Sequence, residues 1–152
     1  MSEAEIIVDE KVPTVTIIRE FDAPVEKVFR AHVESDLFVQ WNWPAGYDVR
    51  FDHFDCRTGG SYRITMSGGD IEGSVHGSFH DVIPNELIVQ TFTPDVAPDL
   101  VVLEKHRFED LSDGRTRLTA TSLVDRFELR DSFLASGLAE GYDELDRLLE
   151  RI

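Results

Sequence analysis

The segment from Leu134 to the C-terminus constrains the fold most strongly, because its apolar residues recur at helical spacing on one face. Charged and polar residues occupy the opposite face. The apolar face consists of Leu134, Leu138, Gly141, Tyr142, Leu145, Leu148, Leu149 and Ile152. Such a stripe must be buried against another element. The pattern therefore predicts a long C-terminal helix packed on the rest of the chain.

The sequence before this helix predicts a sheet. A β-branched run predicts a first strand at Thr14–Phe21, and apolar and polar residues then alternate in short runs between turn signals such as Gly59-Gly60. Consecutive strands with short turns favour antiparallel pairing. We expect one α+β domain over residues 1–152, with a curved antiparallel sheet of about six or seven strands around the C-terminal helix. Residues 1–12 are expected to be a flexible extension or an edge segment.

Two short helices are predicted directly after the first strand. Val25, Val28, Phe29 and His32 follow the i, i+3, i+4, i+7 spacing of a helix with one buried face. A second helix is expected over residues 36–40. It ends before Pro44, because proline cannot continue a helix.

The charge of the chain excludes several partners. Lys and Arg total 15 against 30 Asp and Glu, a formal net charge of -15. This charge repels phosphate backbones and anionic membrane surfaces, so we expect neither nucleic-acid nor membrane binding. The start of the sequence lacks the order of a secretory signal, and the single cysteine, Cys56, allows no internal disulfide. A cytoplasmic location is expected.

Two glycines on or beside the apolar stripe, Gly137 and Gly141, point to close packing or open space. Glycine inside a helix costs about 1 kcal/mol relative to alanine. One interpretation is a cavity between helix and sheet. The other is a close approach of the helix backbone to an aromatic ring on the sheet. The sequence leaves both open.

Glu104 and His106 are the strongest candidates for polar groups inside the molecule. They alternate with outward residues and share a strand face with Val102 and Phe108. They could anchor a ligand or act as an acid/base pair. Alternatively, they could satisfy each other or a neighbouring hydroxyl group in the core, or a bulge could break the alternation.

The remaining candidates are aromatic residues and one histidine. His53 shares a predicted face with Val49 and Phe51, which suggests an interior position. Trp41 and Trp43 could gate a cavity mouth or plug one end of the core. The sequence has no cofactor motif and no Cys/His cluster with zinc spacing, so neither a cofactor nor a metal is expected.

Several segments, in the same order along the chain, resemble the domain of activators of the heat shock protein 90 ATPase and their small single-domain homologues. The matching pieces are residues 21–41 (FDAPVEKVFRAHVESDLFVQW), 55–63 (DCRTGGSYR), 77–92 (GSFHDVIPNELIVQTF), 114–119 (GRTRLT) and 137–150 (GLAEGYDELDRLLE). Two positions depart from the family pattern: Tyr142 follows Gly141 where tryptophan is frequent, and Asn42 separates two tryptophans that are often adjacent.

This resemblance implies a START-like (SRPBCC) domain with the helix-grip fold and an internal cavity. It implies no particular reaction, because members of this superfamily do different things on one scaffold. A homodimer is plausible for the family, and an exposed edge strand could mediate it.

We consider three functions. The favoured one is binding of a small hydrophobic or amphipathic molecule between the sheet and the C-terminal helix. The alternatives are a co-chaperone-like module with the heat shock protein 90 ATPase as partner, and a cyclase or hydrolase of small aromatic compounds with Glu104 and His106 as acid and base. The predicted ligand-binding residues are Trp41, Trp43, Phe51, His53, Tyr62, Ile64, Met66, Phe79, Phe92, Glu104, His106, Leu138 and Tyr142.

Overall fold

The computed structural model of the chain describes residues 3–43, 46–69, 71–134, 139 and 141–152. Its described part contains an eight-stranded antiparallel sheet with the spatial order β1-β2-β8-β7-β6-β5-β4-β3. The strands are β1 (Glu5–Val8), β2 (Thr14–Phe21), β3 (Asp48–Phe54), β4 (Ser61–Gly68), β5 (Ile71–Ile83), β6 (Leu87–Pro94), β7 (Val102–Asp110) and β8 (Thr116–Leu123).

The predicted count of six or seven strands is wrong, because β1 adds a strand at one edge of the sheet. β1 pairs antiparallel with β2, and Ile6 lies opposite Ile17. All four residues of β1 are exposed. A short strand of this kind has no buried face, so its sequence lacks the alternation by which the other strands were predicted.

In the described ranges, four helices accompany the sheet. They are α1 (Val25–Val33), α2 (Ser35–Phe38), α3 (Phe127–Leu134) and α4 (Gly141–Leu149). Ala139 lies in a turn, so the predicted single C-terminal helix is described as two shorter ones. Gly137 and Leu138, which were predicted to belong to it, lie outside the described residues. None of the helices in the described ranges is long and apolar enough to cross a bilayer.

The core lies between the sheet and helices α1 and α4. In α4 the side chains of Tyr142, Leu145, Leu148 and Leu149 are buried, as the apolar stripe requires. In β2 every second residue is buried, and one of these is Arg19, which is only 2% exposed.

Arg19 fastens α4 to the sheet through buried charge. Its Nη1 donates a hydrogen bond of 2.9 Å to Asp143 Oδ1, and its Nη2 lies 3.5 Å from Asp146 Oδ2. The guanidinium also lies over the ring of Phe21, 5.3 Å from its centroid. Both aspartates belong to α4, so this cluster fixes the helix across β2.

The first prediction concerns this ion pair. Replacing both acids (Asp143→Asn with Asp146→Asn) leaves the Arg19 charge buried without a counter-charge, which should lower the free energy of unfolding by about 3–5 kcal/mol. Adding Arg19→Met removes that charge and should recover part of the loss. Urea denaturation of the three proteins measures both effects. A double variant as stable as the wild type would contradict the stabilising role of the cluster.

Candidate functional site

A cavity of about 640 Å³ lies between the inner face of the sheet and helices α3 and α4. The sheet contributes residues from β2, β4, β5, β6, β7 and β8, and the segment after α2 supplies another part of the wall. Among the predicted ligand-binding residues, those in the wall are Trp41, Trp43, Tyr62, Ile64, Phe92, Glu104, His106 and Tyr142.

Three predicted residues lie beside the cavity or away from it. Phe79 lines a smaller adjacent void of about 20 Å³. Phe51 packs against Trp43, with ring centroids 6.5 Å apart, and Met66 packs against the core from β4. Phe51 and Met66 belong to β3 and β4, at the end of the sheet farthest from β1 and β2.

His53 does not lie where the alternation of β3 predicted. The register of β3 and β4 shifts between Phe51 and His53, which marks a bulge. His53 is therefore exposed, and its Nε2 lies 2.9 Å from Ser61 Oγ. Phe54 takes the inward position instead and stacks on Phe38, with centroids 5.6 Å apart. The sequence carries no signal for this bulge.

A polar row crosses the floor of the cavity. Gln90, Glu104 and Ser122 are direct neighbours on β6, β7 and β8, and all three line the cavity. Gln90 Nε2 donates a hydrogen bond of 3.0 Å to Glu104 Oε1. Within the described ranges, no hydrogen bond reaches Glu104 Oε2, so that oxygen is available to a ligand.

Burial raises the pKa of Glu104 to about 7, and the hydrogen bond from Gln90 offsets only part of this increase. An ionised carboxylate is costly in an apolar environment, so the proton is held more tightly than in water. At neutral pH this carboxyl group is poised between its two protonation states.

His106 and His32 form a neutral pair next to Glu104. Burial lowers the pKa of His106 to about 4, and burial, with a smaller effect from His106, lowers that of His32 to about 3. Their ring centroids lie 5.8 Å apart, and His32 Nδ1 donates to the carbonyl oxygen of Val28 at 2.8 Å. His106 Nδ1 is buried without a hydrogen-bond partner in the described part of the chain. The described hydrogen bonds include none between Glu104 and His106, so the two do not satisfy each other.

Tyr62 owes its position to a glycine on the next strand. Its hydroxyl group donates a hydrogen bond of 2.7 Å to the carbonyl oxygen of Thr91, and Gly77 lies opposite it on β5. A Cβ atom at Gly77 would lie 1.9 Å from that carbonyl oxygen and 2.6 Å from the Tyr62 ring. Burial raises the pKa of Tyr62, and the charge of Glu104 raises it further.

Trp41 joins the start of α4 to α1. Its Nε1 donates a hydrogen bond of 2.9 Å to the carbonyl oxygen of Ala31, and its ring stacks on Tyr142 with centroids 5.9 Å apart. A Cβ atom at Gly141 would lie 3.2 Å from the Trp41 carbonyl oxygen and 3.7 Å from its ring. Gly141 therefore permits a close approach to an aromatic ring and also lines the cavity. The cavity interpretation of this glycine fits the structure, whereas the ring that it approaches belongs to the segment after α2 and not to the sheet.

Other reactive groups do not form a second site. Burial raises the pKa of Cys56 to about 12, which disfavours the nucleophilic thiolate. In the ranges that the structure describes, no group of three or more His, Cys, Asp or Glu side chains is placed to hold a metal ion.

The fold and its internal cavity define the class of protein: a helix-grip domain of the START-like type. The chain belongs to the family described as "Activator of Hsp90 ATPase homolog 1-like protein", whose sequence pattern matches residues 22–150. No curated protein matches the chain significantly.

Solved structures of bacterial proteins share this fold. A protein from Rhodobacter sphaeroides superposes with a TM-score of 0.85 at 21% identity, with 99% of each chain covered. One from Chromobacterium violaceum gives a TM-score of 0.80 at 22% identity, covering 91% of this chain and 97% of that one. One from Rhizobium leguminosarum gives 0.68 at 25% identity, covering 100% of this chain and 99% of that one.

The second prediction tests the glycine beneath Tyr62. Gly77→Ala should lower the free energy of unfolding by about 1–3 kcal/mol, because the new methyl group collides with Thr91 and Tyr62. Gly73→Ala on the same strand is the matched control, since a Cβ atom there meets nothing within 4 Å. Guanidinium denaturation compares the two variants. Equal stabilities would contradict the packing described for Tyr62.

The third prediction follows from the raised pKa of Glu104. Its ordinary pKa is 4.5, so the folded state binds the proton more tightly than the unfolded state, and rising pH destabilises the wild type between about 4.5 and 7. Glu104→Gln removes this titration. Between pH 4.5 and pH 8, the free energy of unfolding of the variant should therefore rise by about 3 kcal/mol relative to that of the wild type. Each pKa unit corresponds to about 1.4 kcal/mol.

Urea unfolding across this pH range measures that gain. Glu109→Gln is the matched control, because it removes a carboxylate from the same strand at an exposed position. If the stabilities of wild type and Glu104→Gln follow parallel pH curves, Glu104 does not have the raised pKa.

Proposed function

We propose that this protein binds a small hydrophobic or amphipathic molecule in the cavity between the sheet and helices α3 and α4. The observation that carries the proposal is the cavity itself, with a volume of about 640 Å³. Protein interiors are normally packed with few voids larger than a water molecule, whereas ligand pockets measure about 300–1,000 Å³. A space of this size in a small domain is typical of a binding site.

The wall chemistry supports an amphipathic ligand. Aromatic and aliphatic side chains surround most of the space, and the polar row of Gln90, Glu104 and Ser122 crosses one side. Pockets for small molecules combine these two features, since apolar walls supply affinity and a few polar groups fix orientation.

The walls are held in place before any ligand arrives. Trp41 is fixed by its bond to Ala31, Tyr62 by its bond to Thr91, and α4 by the Arg19 ion pairs. A preformed pocket loses less conformational entropy on binding, which favours affinity.

An acid/base enzyme is a second candidate, and the pKa of Glu104 favours it. A general acid or base works best with a pKa near the working pH, and that of Glu104 is about 7. A cyclase or hydrolase of small aromatic compounds would use this carboxyl group with His106 beside it. Turnover by the wild type that disappears in Glu104→Gln would support this function. Equal turnover by the variant would contradict the role of Glu104 as the acid or base.

A co-chaperone-like role is supported by the family description alone. Measuring the ATPase rate of heat shock protein 90 with and without this chain tests that role directly. Stimulation of the rate would support it, and an unchanged rate would argue against it.

The fourth prediction tests ligand binding by filling the cavity. Ala120 lies in the cavity wall on β8, and its neighbour Thr119 points to the opposite face of the sheet. Native mass spectrometry against a library of lipids and aromatic compounds should detect a bound species with the wild type and with Thr119→Phe. Ala120→Phe places a ring in the cavity and should abolish binding. Binding that survives in Ala120→Phe, or a wild type that captures nothing, would contradict the proposed function.

A further inference from the structure

The charges around the cavity are of one sign. Glu104 and Glu144 line it, and no described lining residue is Lys or Arg. Glu144 is paired with Arg147, whereas Glu104 has no cationic partner in the described part of the chain. Outside the described ranges the sequence has no Lys or Arg.

Aromatic rings lie near the same carboxyl group. Tyr62 and Tyr142 both lie close enough to Glu104 for its charge to raise their pKa values, in addition to the larger effect of burial. Trp41 stacks on Tyr142, and its ring also lines the cavity. The faces of such rings attract cations, most strongly where water is excluded.

We propose that the ligand is an organic cation: a hydrophobic amine or quaternary ammonium compound whose positive group lies against Glu104 and the rings around it. This inference rests on the proposed function and adds the chemical class of the ligand. The apolar part of the molecule occupies the remaining space between Phe92, Ile64 and Ala120, which all line the cavity.

A hydrophobic acid fits the site poorly. No basic side chain among the described lining residues is available to pair with a carboxylate. His106 stays neutral because burial lowers its pKa to about 4. An anionic ligand would therefore be buried without a counter-charge, next to a carboxyl group of its own sign.

A neutral alcohol could accept or donate a hydrogen bond at Glu104, but it gains no charge interaction. For equal apolar bodies, the amine should therefore bind about tenfold more tightly than the alcohol, which corresponds to about 1.4 kcal/mol.

Binding of an amine should also depend on pH in a defined direction. The ionisable groups that face Glu104 are His106 on its own strand, Tyr62 on β4, and Tyr142 and Glu144 on α4, with His32 behind His106. Burial keeps both imidazoles and both phenols neutral between pH 6 and 8, whereas Glu104 ionises with a pKa of about 7. The ammonium group pairs with the ionised form, so its affinity should rise from pH 6 to pH 8.

The experiment compares octylamine, octanol and octanoic acid, together with the 4-phenylbutyl amine, alcohol and acid. Isothermal titration calorimetry at pH 6 and pH 8 measures their affinities for wild type, Glu104→Gln and Glu109→Gln. We expect the amine to bind the wild type most tightly, more so at pH 8, and to fall to the affinity of the alcohol in Glu104→Gln. Glu109→Gln should match the wild type, because that residue lies outside the cavity.

The outcomes separate this inference from the function on which it rests. If the alcohol or the acid binds the wild type as tightly as the amine, or if Glu104→Gln binds the amine unchanged, the cation assignment is overturned while ligand binding survives. If none of the six compounds binds and the mass-spectrometric screen also finds no ligand, the proposed function fails with it.

Discussion

The cavity depends on how α4 is attached to the sheet. The Arg19 ion pairs hold the helix to β2, and the stack of Tyr142 on Trp41 holds its first turn to the segment after α2. Between these attachments the sheet presents small side chains, Ala120 and Ser122 on β8. The helix cannot descend to fill this space without breaking a buried ion pair or colliding with Trp41, so the void persists as part of the fold.

Two charged side chains inside this molecule, Arg19 and Glu104, are compensated to different extents. Arg19 is compensated by two aspartates, and its contribution is to position a helix. Glu104 receives one neutral hydrogen bond from Gln90, and burial raises its pKa to about 7. A polar group that is only partly satisfied in a folded interior weakens stability, and such local conflicts are expected where a protein has a functional site.

The sequence predicted those features that follow from regular geometry. The alternation along β7 predicted that Glu104 and His106 share a face, and both line the cavity. The same reasoning failed for His53, because one bulge in β3 reverses the direction of every later side chain in that strand. A bulge depends on pairing between strands, which a single sequence does not display.

Other features escaped prediction because they depend on contacts between distant segments. Arg19 occupies an inward-facing position of β2. Its buried charge is compensated by two aspartates that lie more than a hundred positions later in the sequence. Nothing in the sequence around Gly77 indicates that the Tyr62 side chain crosses above this glycine to reach the carbonyl oxygen of Thr91. The helical pattern after Leu134 likewise gives no sign of the turn at Ala139.

The net charge of the chain and the chemistry of its cavity both favour a cationic ligand over an anionic one. A formal charge of -15 draws cations toward the protein from solution, and this long-range attraction weakens with added salt. The contact at Glu104 lies inside a low-dielectric space, where dissolved ions screen charges much less. For a cationic ligand, salt should therefore slow association more than it accelerates dissociation. The excess of acidic residues thus favours delivery of a positive molecule to a site whose only uncompensated charge, among the described lining residues, is a carboxylate.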